Sequence, residues 1–201
     1  SPNSAFPNNG ANNYDVIINA VTTPDFAPIL NVTVTLDDLT LNTGATLSIN
    51  SAITLNLNSS NFSNSGNLTI LGNSSFGASS LNFTNPANLT GGGTIILSNA
   101  TFSKISGANL TNIDNTIQGA GHFTSNVTNQ GTIIAQGGIL TFDQNIDNTA
   151  GTISIASNGT LSIGGTLTGS ITAAAGSQLA GSGTLSNVTL TPSSAFSVLG
   201  G

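Results

Sequence analysis

Three observations predict an all-β protein that folds as a parallel β-solenoid with an N-terminal cap. Short segments such as residues 32–36 and 159–163 alternate apolar and small polar residues, which is the pattern of a strand with one buried face. The chain has no Glu or Arg and a single Lys, so the charged residues that favour helices are nearly absent. Apolar residues also recur with a period near 20 across the 201-residue chain, which is typical of stacked repeats.

Three interleaved columns of apolar residues carry this period. The first column is expected to form a buried stack rich in Phe, and contains Leu41, Phe62, Phe83, Phe102, Phe123, Phe142 and Ile163. The second contains Leu47, Leu68, Leu89, Leu110, Val127, Ile146, Leu167 and Val188. The third contains Leu55, Phe76, Ile96, Ile117, Ile134, Ile155, Ala175 and Phe196. Three columns with one period indicate a three-faced coil of about eight rungs, each pairing in parallel with the next at about 4.8 Å.

The chain is expected to divide into an N-terminal cap, residues 1–30, and a β-solenoid, residues 31–201. Four of the six prolines lie in the first 30 residues, and proline is unfavourable inside a regular ladder because it lacks the N–H group. The cap is expected to contain a strand over residues 14–20. Such a cap would cover the free strand edge of the first rung.

The composition excludes several classes of protein. Only 4% of residues are charged, and one Lys against seven Asp gives a net charge of −6. We therefore expect neither a nucleic-acid partner, which requires a basic surface, nor attraction to anionic membranes. The absence of Cys excludes disulfide scaffolds and Cys-based metal sites. The mean hydropathy of +0.21 argues against disorder, while no apolar run approaches the roughly 20 residues of a membrane helix, so no membrane insertion is expected.

Repeat phrases in the chain resemble those of bacterial β-helical surface proteins, namely filamentous-haemagglutinin-like adhesins and autotransporter passengers. These phrases are Leu-Thr-Leu-Asn-Thr-Gly-Ala-Thr-Leu-Ser-Ile at residues 39–49, Asn-Ile-Asp-Asn-Thr-Ile at 112–117 and Asn-Thr-Ala-Gly-Thr-Ile at 148–153. The resemblance implies a right-handed solenoid, export, and an extracellular or cell-surface location. It carries no catalytic residue. Because the chain begins with Ser1 rather than Met, we expect a mature exported chain or an excised fragment.

A row of asparagines is the most informative polar feature. Each of them precedes a member of the second apolar column, and they are Asn67, Asn88, Asn109, Asn126, Asn145 and Asn187. One interpretation is an outer binding face, with surface glycans as its partner. The other is a structural ladder of stacked amides that hydrogen-bond between rungs, as in cross-β stacks.

The titratable residues do not predict an enzyme. Asp37 and Asp38 form the only adjacent carboxylate pair, and neither Glu nor Arg is present to complete a site, although polysaccharide hydrolysis requires two carboxylates across a cleft. Calcium at Asp37 and Asp38, or at Asp143 and Asp147, is a weaker alternative, because the acidic nonapeptide of calcium-binding repeats is absent. We expect no catalytic residue, no metal and no cofactor.

The sequence therefore predicts a structural extracellular protein. Because no charged or Pro-rich segment covers the last rung, we expect an assembly edge at Leu185, Val188 and Phe196. Head-to-tail stacking on this edge would give a homopolymeric surface filament. The alternative is a module of a large secreted adhesin that binds glycans or matrix. A third hypothesis is an ice-binding solenoid, suggested by Thr-x-Thr pairs at Thr33 and Thr35, Thr166 and Thr168, and Thr189 and Thr191.

Overall fold

The expected parallel β-solenoid is confirmed by the computed structural model, which describes residues 7–10, 12–21, 27–193 and 197–199. Every regular element of these residues is a β-strand, and the ladders between named strands are all parallel. No helix that could cross a membrane occurs in this part of the chain. The strands lie on three faces, here called A, B and C, and the chain visits the faces in that order on every turn.

Each face is a ladder of nine strand segments among the described residues. Face A contains β1 (Asp15–Ile18), β4 (Asp38–Leu41), β7 (Asn61–Asn64), β10 (Ala87–Thr90), β13 (Leu110–Asn112), β15 (Val127–Asn129), and the first parts of β17 (Ile146–Ile155), β19 (Thr166–Ala173) and β21 (Thr184–Pro192). Face B contains β2 (Ile29–Leu30), β5 (Thr46–Ile49), β8 (Asn67–Ile70), β11 (Thr94–Ser98), the first parts of β14 (Thr116–Phe123) and β16 (Thr132–Phe142), and the second parts of β17, β19 and β21. Face C contains β3 (Val34–Leu36), β6 (Thr54–Leu57), β9 (Ser79–Phe83), β12 (Ser103–Gly107), the second parts of β14 and β16, β18 (Thr160–Ile163), β20 (Gln178–Ala180) and β22 (Ser197–Val198).

Alternation along each strand separates the core from the surface. In β18, the side chains of Leu161 and Ile163 are buried, while Thr160 and Ser162 face outward and are only partly covered. The inward aliphatic and aromatic side chains of successive rungs stack into one continuous core. Because burial of each such side chain contributes about 1.5–3 kcal/mol, the interior accounts for most of the stability of the solenoid.

The aromatic column is shorter than expected, and it includes fewer Phe residues. On face C, one inward column runs in register through Val34, Leu55, Leu81, Ile105, Phe123, Phe142 and Ile163. Phe123 and Phe142 stack with their ring centroids 4.5 Å apart. Phe62 is buried on face A instead, and Phe102 lies outside the strands and is only half-buried. The expectation of a Phe102 stack was therefore wrong.

The error in the columns comes from uneven rungs. Paired residues are separated by as few as 16 positions, as for Ile117 and Ile133, and by as many as 27, as for Leu68 and Ile95. The long rung contains a loop between β8 and β9, which is closed by an antiparallel bridge between Asn73 and Gly77. The extra residues form a loop at a corner of the solenoid and add to the length of that rung. A period near 20 therefore aligns the strand that follows the loop with the wrong residues of its neighbour.

The loop also explains the failure of the third column. Phe76 lies in it with 73% of its surface exposed. Ile96 and Ile134 occupy outward positions beside the buried Ile95 and Ile133, and Ala175 is exposed. Leu55, Ile117 and Ile155 are buried as expected. Phe196 lies outside the described residues.

The segment expected to be a cap contributes strands to the solenoid. β1 lies within the expected strand of residues 14–20 and pairs with β4 on face A, and β2 pairs with β5 on face B. On face C, residues 8 and 9 lie along the edge of β3 that has no strand partner among the described residues. The backbone N–H of Asn9 donates to the Thr35 carbonyl at 2.6 Å, and the Thr35 N–H donates to Asn8 Oδ1 at 2.7 Å. The N-terminal segment thus covers part of the first rung.

Candidate functional site

The expected assembly edge lies on the last turn of the solenoid. Leu185 pairs with Leu167 on face A, so Leu185 continues the second apolar column. The expectation that Val188 occupies this position was wrong. Asn187 is an extra residue here, with φ at 53°, and it shifts β21 by one position relative to β19. Val188 pairs with Gly169 and packs against the core as a partly buried side chain. Phe196, the third expected edge residue, is outside the described part of the chain.

The last turn exposes side chains that correspond to core residues in the turn before it. Leu167 and Leu179 are 0% and 3% exposed, whereas their partners Leu185 and Val198 are 45% and 63% exposed. Leu185, Val198 and Leu199 line an open hollow of about 130 Å³ together with Ile163 and Leu179. Among the described residues, β21 and β22 pair only with the preceding strands β19 and β20. One side of their backbone is therefore left without a strand partner.

The N-terminal end of the solenoid also has an apolar interior. An open hollow of about 100 Å³ is lined by Pro7, Val16, Ile18, Leu30, Val34, Leu36, Leu39, Leu47 and Leu55. Asp15, Asp37 and Asp38 are sequence neighbours of the lining residues Val16, Leu36 and Leu39. In contrast, residues 178–199 contain no charged side chain. The two ends therefore share an apolar core and differ in charge.

The predicted outer row of asparagines forms only one short ladder. All six side chains are exposed. Asn126 Nδ2 donates to Asn109 Oδ1 at 3.2 Å, and the N–H of Asn145 donates to Asn126 Oδ1 at 3.2 Å. Thr166 continues this row through its N–H, which donates to Asn145 Oδ1 at 2.8 Å. These contacts hold neighbouring rungs together at the start of face A.

The other three asparagines of the predicted row lie elsewhere. Asn67 belongs to face B, where it stands between Thr46 and Thr94. Asn88 pairs with Asn61 and Thr111 on face A, and Asn187 is the extra residue of β21. The expected row of six side chains is therefore wrong, because the loop between β8 and β9 and the extra residue Asn187 shift the register of the strands.

Sequence reasoning missed a second row of asparagines inside the solenoid. Asn112, Asn129 and Asn148 are at most 1% exposed. Asn112 Nδ2 donates to Asn129 Oδ1 at 2.8 Å, and Asn129 Nδ2 donates to Asn148 Oδ1 at 2.7 Å. At the same corner between faces A and B, Asn64 Nδ2 donates to Asn115 Oδ1 at 2.9 Å. These amides satisfy one another and the turn backbone, which is the condition for burying polar groups.

A repeated phrase could have revealed the inner row. Leu-Thr-Asn at residues 110–112, Val-Thr-Asn at 127–129 and Ile-Asp-Asn at 146–148 place Asn two positions after a buried apolar residue. By strand alternation, the Asn side chain then points into the core. We name these three residues, with Asn64 and Asn115, the inner amide ladder.

The carboxylates of the described residues do not gather into a metal-binding cluster. Within this part of the chain, no group of three or more His, Asp or Glu side chains is positioned to hold a metal. Asp37 accepts hydrogen bonds from the side-chain amides of Asn13 at 3.1 Å and Asn9 at 3.4 Å, and Asp38 is exposed. On face C, His122 Nδ1 lies 3.1 Å from Asp143 Oδ2, and Lys104 occupies the strand position next to His122.

Hydrogen bonds from two threonines hold the pKa of Asp147 below its ordinary value. The backbone N–H of Thr149 donates to its Oδ1 at 3.0 Å, and the hydroxyls of Thr149 and Thr168 donate at 2.8 and 3.2 Å. These hydrogen bonds stabilise the ionised carboxylate and lower the pKa of Asp147 from its ordinary value of 3.8, although slight burial opposes them.

The lowered pKa of Asp147 predicts a small loss of stability in acid. A depressed pKa in the folded state contributes stability above the pKa of the unfolded chain, and this contribution disappears as the pH falls through the folded-state pKa. NMR titration should place the carboxyl below 3.8, and Asp147→Asn should reduce the acid sensitivity of unfolding. A titration midpoint at or above 3.8 would contradict the hydrogen-bond geometry.

Comparisons with protein-family models, with curated proteins and with solved structures find no match to this chain.

Proposed function

We propose that the chain is a structural extracellular protein, the subunit of a surface filament in which copies stack head-to-tail. The main support is the last turn, where Leu185 and Val198 extend buried columns but are themselves exposed. The edge of β21 lacks the inward-pointing charges and Lys residues that usually prevent a free strand from pairing.

Covering this turn would stabilise an assembly. Full burial of an aliphatic side chain contributes about 1.5–3 kcal/mol, and Leu185, Val198 and Leu199 are each about half-exposed or more. A further rung would also pair the free backbone groups of β21 and β22. Association also has a cost, because two molecules lose translational and rotational freedom when they bind. Burial of the apolar side chains and pairing of the strand edges must together exceed this cost.

The first turn of a second copy is the occupant that fits this edge. β1, β2 and β3 lie on faces A, B and C in the same order and direction as the strands of the last turn. Carboxylates at Asp15, Asp37 and Asp38 would meet an uncharged surface and not one another. Since this contact joins different surfaces and does not close, it would produce a filament.

One observation favours the alternative of a module in a large secreted adhesin that binds glycans or matrix. Residues 8 and 9 already form hydrogen bonds with Thr35 on the unpaired edge of β3. A second copy would therefore stack on faces A and B alone, or displace these residues on face C. In the adhesin, the covering rung would belong to the same polypeptide, and the N-terminal contact would stay intact.

The filament predicts that assembly depends on the inward side chains of β21. Leu185→Lys with Val188→Lys would place two charges on the edge, and this variant should remain monomeric in sedimentation and form no fibres in electron micrographs. Ser186→Lys with Thr189→Lys adds the same charge to the outer side of the same strand, so this control should still assemble. Circular dichroism checks that both variants retain the β-fold.

Two results would contradict the filament. One is an unmodified chain that stays monomeric at high concentration. The other is equal loss of assembly in both Lys variants, which would indicate a general effect of charge. A monomeric chain that binds glycans or matrix components would instead support the adhesin alternative.

A further inference from the structure

Face B presents a continuous outward row of uncharged polar side chains, of which all but Asn67 bear a hydroxyl. The row runs through Thr46, Asn67, Thr94, Thr116, Thr132, Thr152, Ser170 and Thr189. Six of these eight residues are Thr. The three Thr-x-Thr pairs noted in the sequence lie on three different faces, so this row becomes visible only in the true register.

A second outward row runs beside the first, two residues further along each strand. It contains Ser48, Thr69, Ile96, Gln118, Ile134, Ser154, Thr172 and Thr191. Neither row contains a charged residue. The two rows together form a grid of hydroxyl, amide and aliphatic groups along the length of the solenoid.

The grid is regular in two directions. Neighbouring rungs are about 4.8 Å apart, and outward residues on one strand are about 6.6 Å apart. The register shifts fall at the corners, between Gly119 and Gly121 and between Asn148 and Ile153, and leave the pairing within face B unbroken. These two spacings lie close to the repeats of water oxygens in hexagonal ice.

The chemistry of the face also suits ordered water. The side chains of Thr94, Thr116 and Thr132 are partly exposed, so their hydroxyls can donate hydrogen bonds to solvent and accept them from it. Each Thr also places a methyl group at the surface, which restricts how neighbouring water can orient. The charged side chains of the described residues lie off the face, with Asp114 at the corner between faces A and B, Asp147 on face A, and Lys104 and Asp143 near face C.

From this grid we infer that face B binds ice. The ligand is a layer of ordered water, held by the Thr hydroxyls and methyls of successive rungs and frozen to the crystal behind it. The contact requires no charge and no cleft. Only Thr189 and Thr191 of the grid belong to the last turn, so the contact would operate in a monomer as well as in a filament.

The inference predicts thermal hysteresis, in which the protein lowers the freezing temperature of ice crystals below their melting temperature. It also predicts that the protein is incorporated into slowly growing ice. Thr132→Lys places a charge at the centre of the grid and should abolish both effects. Thr116→Tyr disrupts the same grid by size alone and should do the same. The matched control is Thr128→Lys, an exposed outward position on face A, which should retain full activity.

Circular dichroism establishes that the three variants are folded. An unmodified chain that shows no such temperature gap and is excluded from growing ice would overturn the inference. Equal activity in Thr132→Lys and the unmodified chain would also overturn it. If Thr132→Lys changed only self-association in sedimentation, face B would be a surface for lateral packing of copies, and the ice assignment would fail.

Discussion

Replacing Asn129 by Ala is expected to destabilise the fold strongly, because Asn129 lies at the centre of the inner amide ladder. Its side chain accepts from Asn112 and donates to Asn148, and it also lies within hydrogen-bond distance of the Gly131 and Thr152 carbonyls. Each buried polar group left without a partner costs about 1–3 kcal/mol. The variant removes the donor to Asn148 Oδ1 and one acceptor of the Asn112 amide, so losses at two or more groups should add.

Asn126→Ala is the matched control, since Asn126 precedes the same strand and points outward. Its hydrogen bonds to Asn109 and Asn145 are exposed to water, so its loss should cost less than about 1 kcal/mol. Urea unfolding of both variants measures the difference. Similar free energies of unfolding would show that the inner amides do not support the corner between faces A and B.

The second large effect is expected at Phe142. Its ring packs against Phe123 on one side, with Ile163 following it in the same column, and it is fully buried. Truncation to Ala should reduce the free energy of unfolding by about 3–5 kcal/mol, through lost burial and the cavity that remains.

The control for Phe142 is Phe76→Ala. Phe76 has 73% of its surface exposed on the loop between β8 and β9, so its truncation should change stability by less than about 0.5 kcal/mol. Chemical unfolding of the two Phe variants compares them directly. A larger loss at Phe76 than at Phe142 would contradict the register of face C.

Strand alternation was predictable from the sequence because it is local. β5 and β18 each read Thr-Leu-Ser-Ile, and both bury their second and fourth residues. The pairing of strands is predictable from the sequence only where the turns contain no long insertion. Leu110, Val127, Ile146 and Leu167 were aligned correctly, since the turns between them are short. Before Leu110, the loop containing Phe76 adds residues whose path no local pattern indicates.

The same variation in turn length affects the prediction of the candidate sites. Leu185 was identified at the exposed end, but Val188 was placed in its column, because nothing in the sequence marks Asn187 as an extra residue. Asn109, Asn126 and Asn145 stack as expected. The polarity of Asn112, Asn129 and Asn148 predicts outward side chains, although strand alternation places them inside. Polarity alone did not distinguish a solvated amide from a buried one that is fully paired.

Backbone hydrogen exchange, measured as a function of protein concentration, tests the proposed end-to-end assembly most directly. The free edge predicts fast exchange at alternate amides of β21 in dilute protein, and protection of the same amides, together with those of β1 and β2, when copies stack. In the variant carrying Leu185→Lys and Val188→Lys, exchange should stay fast at every concentration. Exchange of β21 that is independent of concentration in the unmodified chain would contradict the filament.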